Sequence, residues 1–230
     1  MTSPRSACGA PPQQGAASGP AEPVPLRQLE GSAAAPADAA DAHLREQFTG
    51  NRTELHDGFL HLVRDEVLLP DGELATREFI LHSGAVAVIP LLDDGRVVMV
   101  RQFRYPLGKV LLELPAGRLN AGEDPLLCGQ RELAEETGFV AREWAFGGAI
   151  HNAAAYANET IWLWFARSLV AGPQRLDAGE FVEVVTHTDI ELDALHAAGQ
   201  LPDVKTVVGL HMLLRWRAGA RRLEWQTAAP

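Results

Sequence analysis

Three glutamates lie within the stretch RELAEETGF, Arg131 to Phe139. At about 100° per residue of an α-helix, Glu132, Glu135 and Glu136 fall within an arc of roughly 100° and share one face. Like charges four residues apart on a helix cost about a few tenths of a kcal/mol unless something neutralises them. Carboxylate oxygens are hard ligands of the kind that Mg²⁺ prefers. The face therefore predicts a divalent-cation site, and the alternative interpretation is a solvated acidic face that Arg131 balances in part.

The helix that would carry these glutamates has clear end signals. Asp124 can cap its N-terminus, and Pro125 suits the first turn, where a backbone N–H has no partner. Gly138 can end the helix in the left-handed conformation. The sequence therefore predicts a helix over about 125 to 137, with its acidic face beside the preceding loop.

That loop, GRLNAG, is bracketed by Gly117 and Gly122. Glu123 follows it and stands eight positions before Arg131, close enough for an ion pair that ties the loop to the helix. We expect the loop to bring backbone carbonyls near the helix carboxylates, which would add oxygen ligands to the same site.

The surrounding chain is typical of short strands joined by tight turns. Apolar runs begin at about His56, and Asp71-Gly72 and Asp94-Gly95 supply the backbone angles of hairpin turns. The segments VLLELPAG, GGAI, TIWLWFARSL and EFVEVVTHT are further strand candidates. A capping box at 188–191 and a cap at Asp203 indicate two later helices. We expect an α+β fold in which helices flank a sheet.

Composition narrows the class of protein. The 230 residues carry a formal net charge of -10, which disfavours a nucleic-acid partner. Two cysteines are too few for a disulfide framework. No apolar run approaches the roughly 20 residues that span a bilayer. We therefore expect a cytoplasmic protein without a membrane partner. Residues 1–45 predict a disordered Ala/Pro/Gly-rich leader, residues 46–220 the folded domain, and residues 221–230 a tail.

Gly117 to Phe139, GRLNAGEDPLLCGQRELAEETGF, resembles the Nudix box, G-x5-E-x7-R-E-U-x-E-E-x-G-U with U a bulky aliphatic residue. Every fixed position matches, and Phe139 departs only from the final aliphatic position. The resemblance implies a Nudix α/β/α sandwich with an N-terminal antiparallel hairpin. It also implies Mg²⁺-dependent hydrolysis, with Mn²⁺ as the alternative ion. By matching positions, Glu132 and Glu136 would be the main metal ligands, and the carbonyl of Ala116 would complete the inner shell. Glu135 would be a further ligand that is counted with the catalytic residues. Glu123 would be a supporting acid that pairs with Arg131.

Val100 to Leu119, VRQFRYPLGKVLLELPAGRL, resembles the segment before the box in the ADP-ribose pyrophosphatase branch. The resemblance implies that Arg104 contacts a substrate phosphate and that Glu113 lies near the metal and sugar. A guanidinium suits bidentate phosphate contacts, although Arg104 read alone is also consistent with an ordinary strand-end charge. Arg77 and Arg101 are weaker candidates for the same contact.

GEFVEV, residues 179–184, resembles the segment that carries the water-activating acid of that branch. This makes Glu180 the first candidate for the base and Glu183 the second, against the alternative of solvated acids at a strand edge. One departure concerns specificity, because HNAAAYANE places Ala154 where the branch commonly has proline. Tyr156 in the same segment would stack on a base or merely pack.

The resemblance therefore implies hydrolysis of the diphosphate bond of a nucleotide sugar, first of all ADP-ribose to AMP and ribose 5-phosphate. Alternatives are ADP-glucose or GDP-mannose as substrate, or a sensor that binds a nucleotide sugar without turnover. The intact acidic set disfavours the sensor. The family assembly implied is a homodimer in which the hairpin of one subunit reaches over the site of the other.

Overall fold

The structure is a computed structural model that describes residues 41–227. Most of the predicted leader, residues 1–40, lies outside the described residues, and its described end holds one short 3-10 turn over Ala42–Leu44. None of the helices in residues 41–227 combines the length and apolar character needed to cross a membrane.

The first sheet is antiparallel, with the order β1-β2-β3. Its strands are β1 (Gln47–Asp57), β2 (His61–Leu68) and β3 (Leu74–Leu81). The predicted turn at Asp71-Gly72 is confirmed, because Gly72 has φ 87° and its N–H donates to the Leu69 carbonyl at 3.0 Å.

The first strand begins at Gln47, before the apolar runs that start near His56. Every residue of β1 is exposed, so the strand has no buried face and no apolar alternation to reveal it. Polar contacts hold it to β2 instead: Arg52 donates to both carboxylate oxygens of Asp65 at 2.6 and 2.7 Å.

The other strands form two sheets, and three helices complete the fold of residues 41–227. The three-stranded sheet has the order β10-β5-β6 and the five-stranded sheet the order β11-β8-β9-β4-β7. Strand β4 pairs in parallel with β9 and antiparallel with β7. The strands are β4 (Ala85–Pro90), β5 (Val97–Arg104), β6 (Lys109–Glu113), β7 (Ala116–Arg118), β8 (Phe139–Ile150), β9 (Ile161–Ala171), β10 (Val182–His187) and β11 (Trp225–Thr227). The helices are α1 (Pro125–Thr137), α2 (Asp189–Ala197) and α3 (Val204–Arg217).

Helices cover both faces of the five-stranded sheet. On one face, Leu133 of α1 packs with Val88 and Trp144. On the other, Leu213 of α3 packs in a cluster with Phe165. Burying an apolar stripe of each helix on the sheet produces the layered α+β sandwich that was predicted.

The predicted helix caps are confirmed. Asp124 accepts from the N–H of Leu126 at 2.8 Å, and Gly138 has φ 74°, so α1 occupies the predicted 125–137. Helix α2 begins with the expected capping box at Thr188. Asp203 caps α3 by accepting from the Thr206 N–H at 3.0 Å.

Part of the predicted 221–230 tail belongs to the fold, which corrects that boundary. Residues 225–227 form β11, which pairs with β8 at the edge of the five-stranded sheet. The centroid of the Trp225 ring lies 6.0 Å from that of the Trp216 ring. The guanidinium of Arg167 lies over the Trp225 ring, 4.0 Å from its centroid. A strand of three residues is too short to show a periodic pattern, so its sequence did not separate it from a tail.

Candidate active site

Arg131 lies at the centre of the acidic face of α1. Its Nε and Nη2 donate to the two oxygens of Glu123 at 2.9 and 3.0 Å, which confirms the predicted tie between loop and helix. Its Nη1 donates to Glu132 at 2.6 Å and to Glu135 at 3.0 Å. Hydrogen bonding to Glu123 is the main reason that the pKa of Arg131 is raised. The guanidinium therefore holds three carboxylates in place as a permanent cation.

The backbone at Ala116 and Gly117 meets two of these helix carboxylates. The Ala116 N–H donates to Oε2 of Glu136 at 3.0 Å. The Glu132 carboxylate lies against Gly117 so closely that a Cβ added there would be 1.9 Å from its Cδ. The structure thus brings together the backbone and the two glutamates that the sequence assigned to a metal, with Glu123 one contact away through Arg131.

Burial makes this cluster unfavourable for negative charge. Glu136 is 2% exposed, and burial raises its pKa to about 8, with the charges of Glu132 and Glu180 adding to the effect. Burial also raises the pKa of Glu132, and the charges of Glu135 and Glu180 add to the shift. A bound cation would offset the cost of ionising both groups.

The donor set fits a hard divalent cation. Within residues 41–227 no three acidic, histidine or cysteine side chains are already gathered as a ligand set, and Glu132 and Glu135 instead contact Arg131. Glu132 would bind an ion by exchanging its contact with Arg131 for one with the metal. The oxygens of Glu132, Glu136 and the Ala116 carbonyl are the ligand type that Mg²⁺ and Mn²⁺ take.

A cleft of about 230 Å³ opens beside this cluster, and Ala116, Gly117 and Arg104 line it. Arg104 donates to both oxygens of Glu113 at 2.8 Å each. Glu113 is 1% exposed. Burial alone would raise its pKa, but contacts with Arg104 and Lys205 outweigh burial and lower it. Glu113 is therefore an ionised, buried support for Arg104.

The cleft has further polar lining that sequence reasoning did not select. It comprises His82, Arg118, Asn152, Glu159, Asp203 and Lys205. Lys205 carried a usable signal, because a cation in the first turn of a helix opposes the helix dipole and needs another reason to be there. Its partner Glu113 is 92 positions away in the chain, so the sequence alone did not reveal the pair.

Two arginines considered for the substrate lie elsewhere. Arg77 is in β3 and pairs with Glu46, and in the described part of the chain it is not among the cleft residues. Arg101 pairs with Glu183 across the β5–β10 ladder. These contacts leave Arg104 as the guanidinium of the three that reaches the cleft of its own chain.

Of the two candidate bases, Glu180 is the one near the cluster. Its charge contributes to the raised pKa values of Glu132 and Glu136, whereas Glu183 is 62% exposed at its side chain and contacts Arg101. Tyr156 is exposed, and it is not one of the cleft residues within 41–227.

Comparisons with known proteins agree with this geometry. A family model, the NUDIX domain, matches residues 81–204. The chain is 36% identical over 156 residues to an ADP-ribose pyrophosphatase of Bacillus subtilis, covering 67% of this chain and 84% of that one. It is 38% identical over 154 residues to a methanol dehydrogenase activator of Bacillus methanolicus, covering 65% and 82%.

A third relative and a solved structure extend the comparison. An ADP-ribose pyrophosphatase of Mycobacterium tuberculosis is 41% identical over 117 residues, covering 50% of this chain and 56% of that one. A crystal structure of an ADP compounds hydrolase shares the fold with a TM-score of 0.68 at 20% identity, covering 78% of this chain and 98% of the other. The chain therefore belongs to the Nudix family and is a hydrolase that acts on pyrophosphate bonds.

Proposed function

We propose that this enzyme hydrolyses the diphosphate bond of a nucleotide sugar, with ADP-ribose cleaved to AMP and ribose 5-phosphate as the preferred reaction. One observation carries the proposal: Arg104 lines the same cleft as Ala116 and Gly117, against which Glu132 and Glu136 lie. A guanidinium suited to a phosphate thus lines a cleft, and two carboxylates suited to a hard cation lie against the cleft wall at Ala116 and Gly117. Two of the relatives are named ADP-ribose pyrophosphatase, which supports the choice of substrate.

Each residue then has a role that follows from its contacts. Arg104, oriented by Glu113, binds a phosphate of the substrate through a guanidinium that suits bidentate contacts. Glu132, Glu136 and the Ala116 carbonyl would hold Mg²⁺, or Mn²⁺ as the alternative, with Glu135 nearby and Glu123 supporting through Arg131. When bound, the ion would polarise a phosphoryl oxygen and lower the pKa of a water.

Glu180 is the proposed general base. It lies close enough to influence the titration of Glu132 and Glu136, yet it is not engaged by Arg131. A carboxylate that lies near the proposed metal ligands without being one of them can accept the proton of the attacking water.

A homodimer is part of the proposal. Strand β1 is exposed along its whole length, and large apolar side chains of the first sheet and its β1–β2 turn are exposed: Phe48, Leu55, Phe59, Leu60 and Leu74. A small sheet of this kind is marginally stable by itself and gains from a second surface. In such a dimer Arg77 would serve the cleft of the partner, since it does not reach its own.

The experiment is a panel of nucleotide sugars with the wild type and the Glu136→Gln variant. ADP-ribose, ADP-glucose and GDP-mannose would each be incubated with Mg²⁺, with Mn²⁺ and with a chelator, and nucleotide release measured. AMP release from ADP-ribose that needs the ion and is lost in the variant is the expected result. Preference for another sugar would point to the loop at Ala154, and absence of turnover with retained binding would favour a sensor.

A further inference from the structure

The first turn of α3 is fastened to the end of β6. Asp203 Oδ2 accepts from the Thr206 N–H at 3.0 Å and from the Thr206 hydroxyl at 2.6 Å. The same hydroxyl accepts from the backbone N–H of Leu114 at 2.9 Å. Leu114 directly follows Glu113, so the start of this helix is held beside the carboxylate that supports Arg104.

Lys205 completes this connection with charge. It is 8% exposed, and its Nζ donates to Asp203 Oδ2 at 3.0 Å and to Glu113 Oε2. Oε1 of Glu113 accepts a hydrogen bond from Nε of Arg104. Oε2 accepts hydrogen bonds from Nη2 of Arg104 and from Nζ of Lys205. The four groups form an alternating series, Asp203, Lys205, Glu113 and Arg104, in which the two buried members, Lys205 and Glu113, each contact partners of opposite sign.

The placement of Lys205 is costly by itself. A lysine in the first turn of a helix faces the positive end of the helix dipole, and burying an ammonium group removes its hydration. Two carboxylates offset both costs. A lysine at this point is therefore consistent with a role that depends on its charge, and the cleft beside Arg104 is where that role would be expressed, because Lys205 also lines it.

We propose that Lys205 is a positioning residue that acts on the substrate through Glu113 and Arg104. With Lys205 present, Glu113 keeps both oxygens in the plane that receives the Arg104 fork, and the guanidinium stays directed into the cleft. Without it, Glu113 loses one of its two cations and is free to rotate, and Arg104 loses its fixed orientation. This inference rests on the proposed function, since the orientation of Arg104 matters only if a phosphate binds there.

The test is a double-mutant cycle with Lys205→Met and Arg104→Met. Lys205→Met should raise KM for the best nucleotide sugar of the panel by about tenfold while kcat changes little, because the lost interaction is one of binding. In the Arg104→Met background the same substitution should have almost no further effect, because its route to the substrate is already removed. A purely structural lysine would instead show additive effects in the two backgrounds.

Controls separate this result from misfolding. Lys205→Arg keeps the charge and should restore most of the affinity. Lys109→Met makes the same change at an exposed position of β6 and should match the wild type. Thermal unfolding of every variant would be recorded. If the Lys205→Met protein does not fold, the Lys205→Arg variant tests the proposal by itself. A loss of substrate affinity in Lys205→Arg would overturn the proposal.

Calorimetric binding of ADP-ribose would be measured for the same four proteins of the cycle. If the wild type binds but does not cleave, the proposed function fails while the coupling between Lys205 and Arg104 is still read from Kd. Additive losses in an active or binding wild type overturn the Lys205 proposal alone. A wild type that neither binds nor cleaves overturns both.

Discussion

Replacing Gly117 by alanine should damage the site while leaving the fold intact. A Cβ at this position would lie 1.9 Å from Cδ of Glu132 and 2.0 and 2.3 Å from its two oxygens, where ordinary contacts begin at 3.4 Å. The carboxylate must therefore retreat by about 1.5 Å, the difference between 1.9 and 3.4 Å. Gly117 has no positive φ, so alanine adds no backbone strain.

The magnitude follows from what Glu132 is proposed to hold. A displacement of about 1 Å at a reacting centre costs roughly 10²-fold in rate, which is about 2.7 kcal/mol of transition-state stabilisation. Stability should change by less than about 1 kcal/mol, because the atoms in conflict are the far end of a flexible side chain and not backbone. The variant should therefore fold like the wild type and lose most of its kcat.

The assay is nucleotide release at saturating Mg²⁺, with urea unfolding run on the same preparations. Gly58→Ala is the matched control, because its Cβ would also meet only a side chain, Nε2 of His56 at 2.6 Å, and its φ is likewise not in the left-handed region. Gly58→Ala should retain wild-type kcat. A Gly117→Ala enzyme with more than a third of wild-type kcat would refute the reasoning, and so would one that fails to fold.

Three further predictions concern charge and packing. The pKa of Glu136, raised by burial from 4.5 to about 8, means that the folded metal-free protein keeps a proton that the unfolded chain releases. The free energy of unfolding of the metal-free protein should therefore fall by about a few kcal/mol as the pH rises from about 4.5 to 8. Urea titrations of the Glu136→Gln variant in chelator should lack this pH dependence. Glu180→Gln should lower kcat by about 10²-fold or more in initial-rate assays, while Glu183→Gln should stay near wild type, and equal losses would contradict the choice of base. Trp225→Ala should lower the free energy of unfolding by roughly 2 kcal/mol without changing KM, and an unshifted urea midpoint would argue against β11 as part of the sheet.

Much of helix α1 could be predicted from the sequence because its determinants are local. The cap at Asp124, the left-handed Gly138 and the pairing of Glu123 with Arg131 all involve residues within one short segment. The 3.6-residue period of a helix then places Glu132 and Glu136 on one face whatever the rest of the chain does. The hypothesis of a divalent-cation site rests on the same local pattern.

Elements without an apolar pattern were decided by pairing with distant strands. Strand β1 is exposed throughout, and β11 has three residues, so neither has a periodicity to detect. Their places depend on β2 and β8, which offer edges with matching hydrogen-bond register. An alternating sequence pattern reports a buried face, which β1 lacks. Strand β1 is held by backbone and polar contacts, and β11 by its pairing with β8 and by the packing of the single side chain Trp225.

The sequence by itself determined the helix, its caps and the acidic face that it presents. Only the tertiary structure decided that Glu136 is buried, that Arg104 and not Arg77 reaches the cleft of its own chain, and that Lys205 meets Glu113 across 92 positions. Burial and ion pairing between distant segments depend on how the layers pack, and that packing is a property of the whole chain.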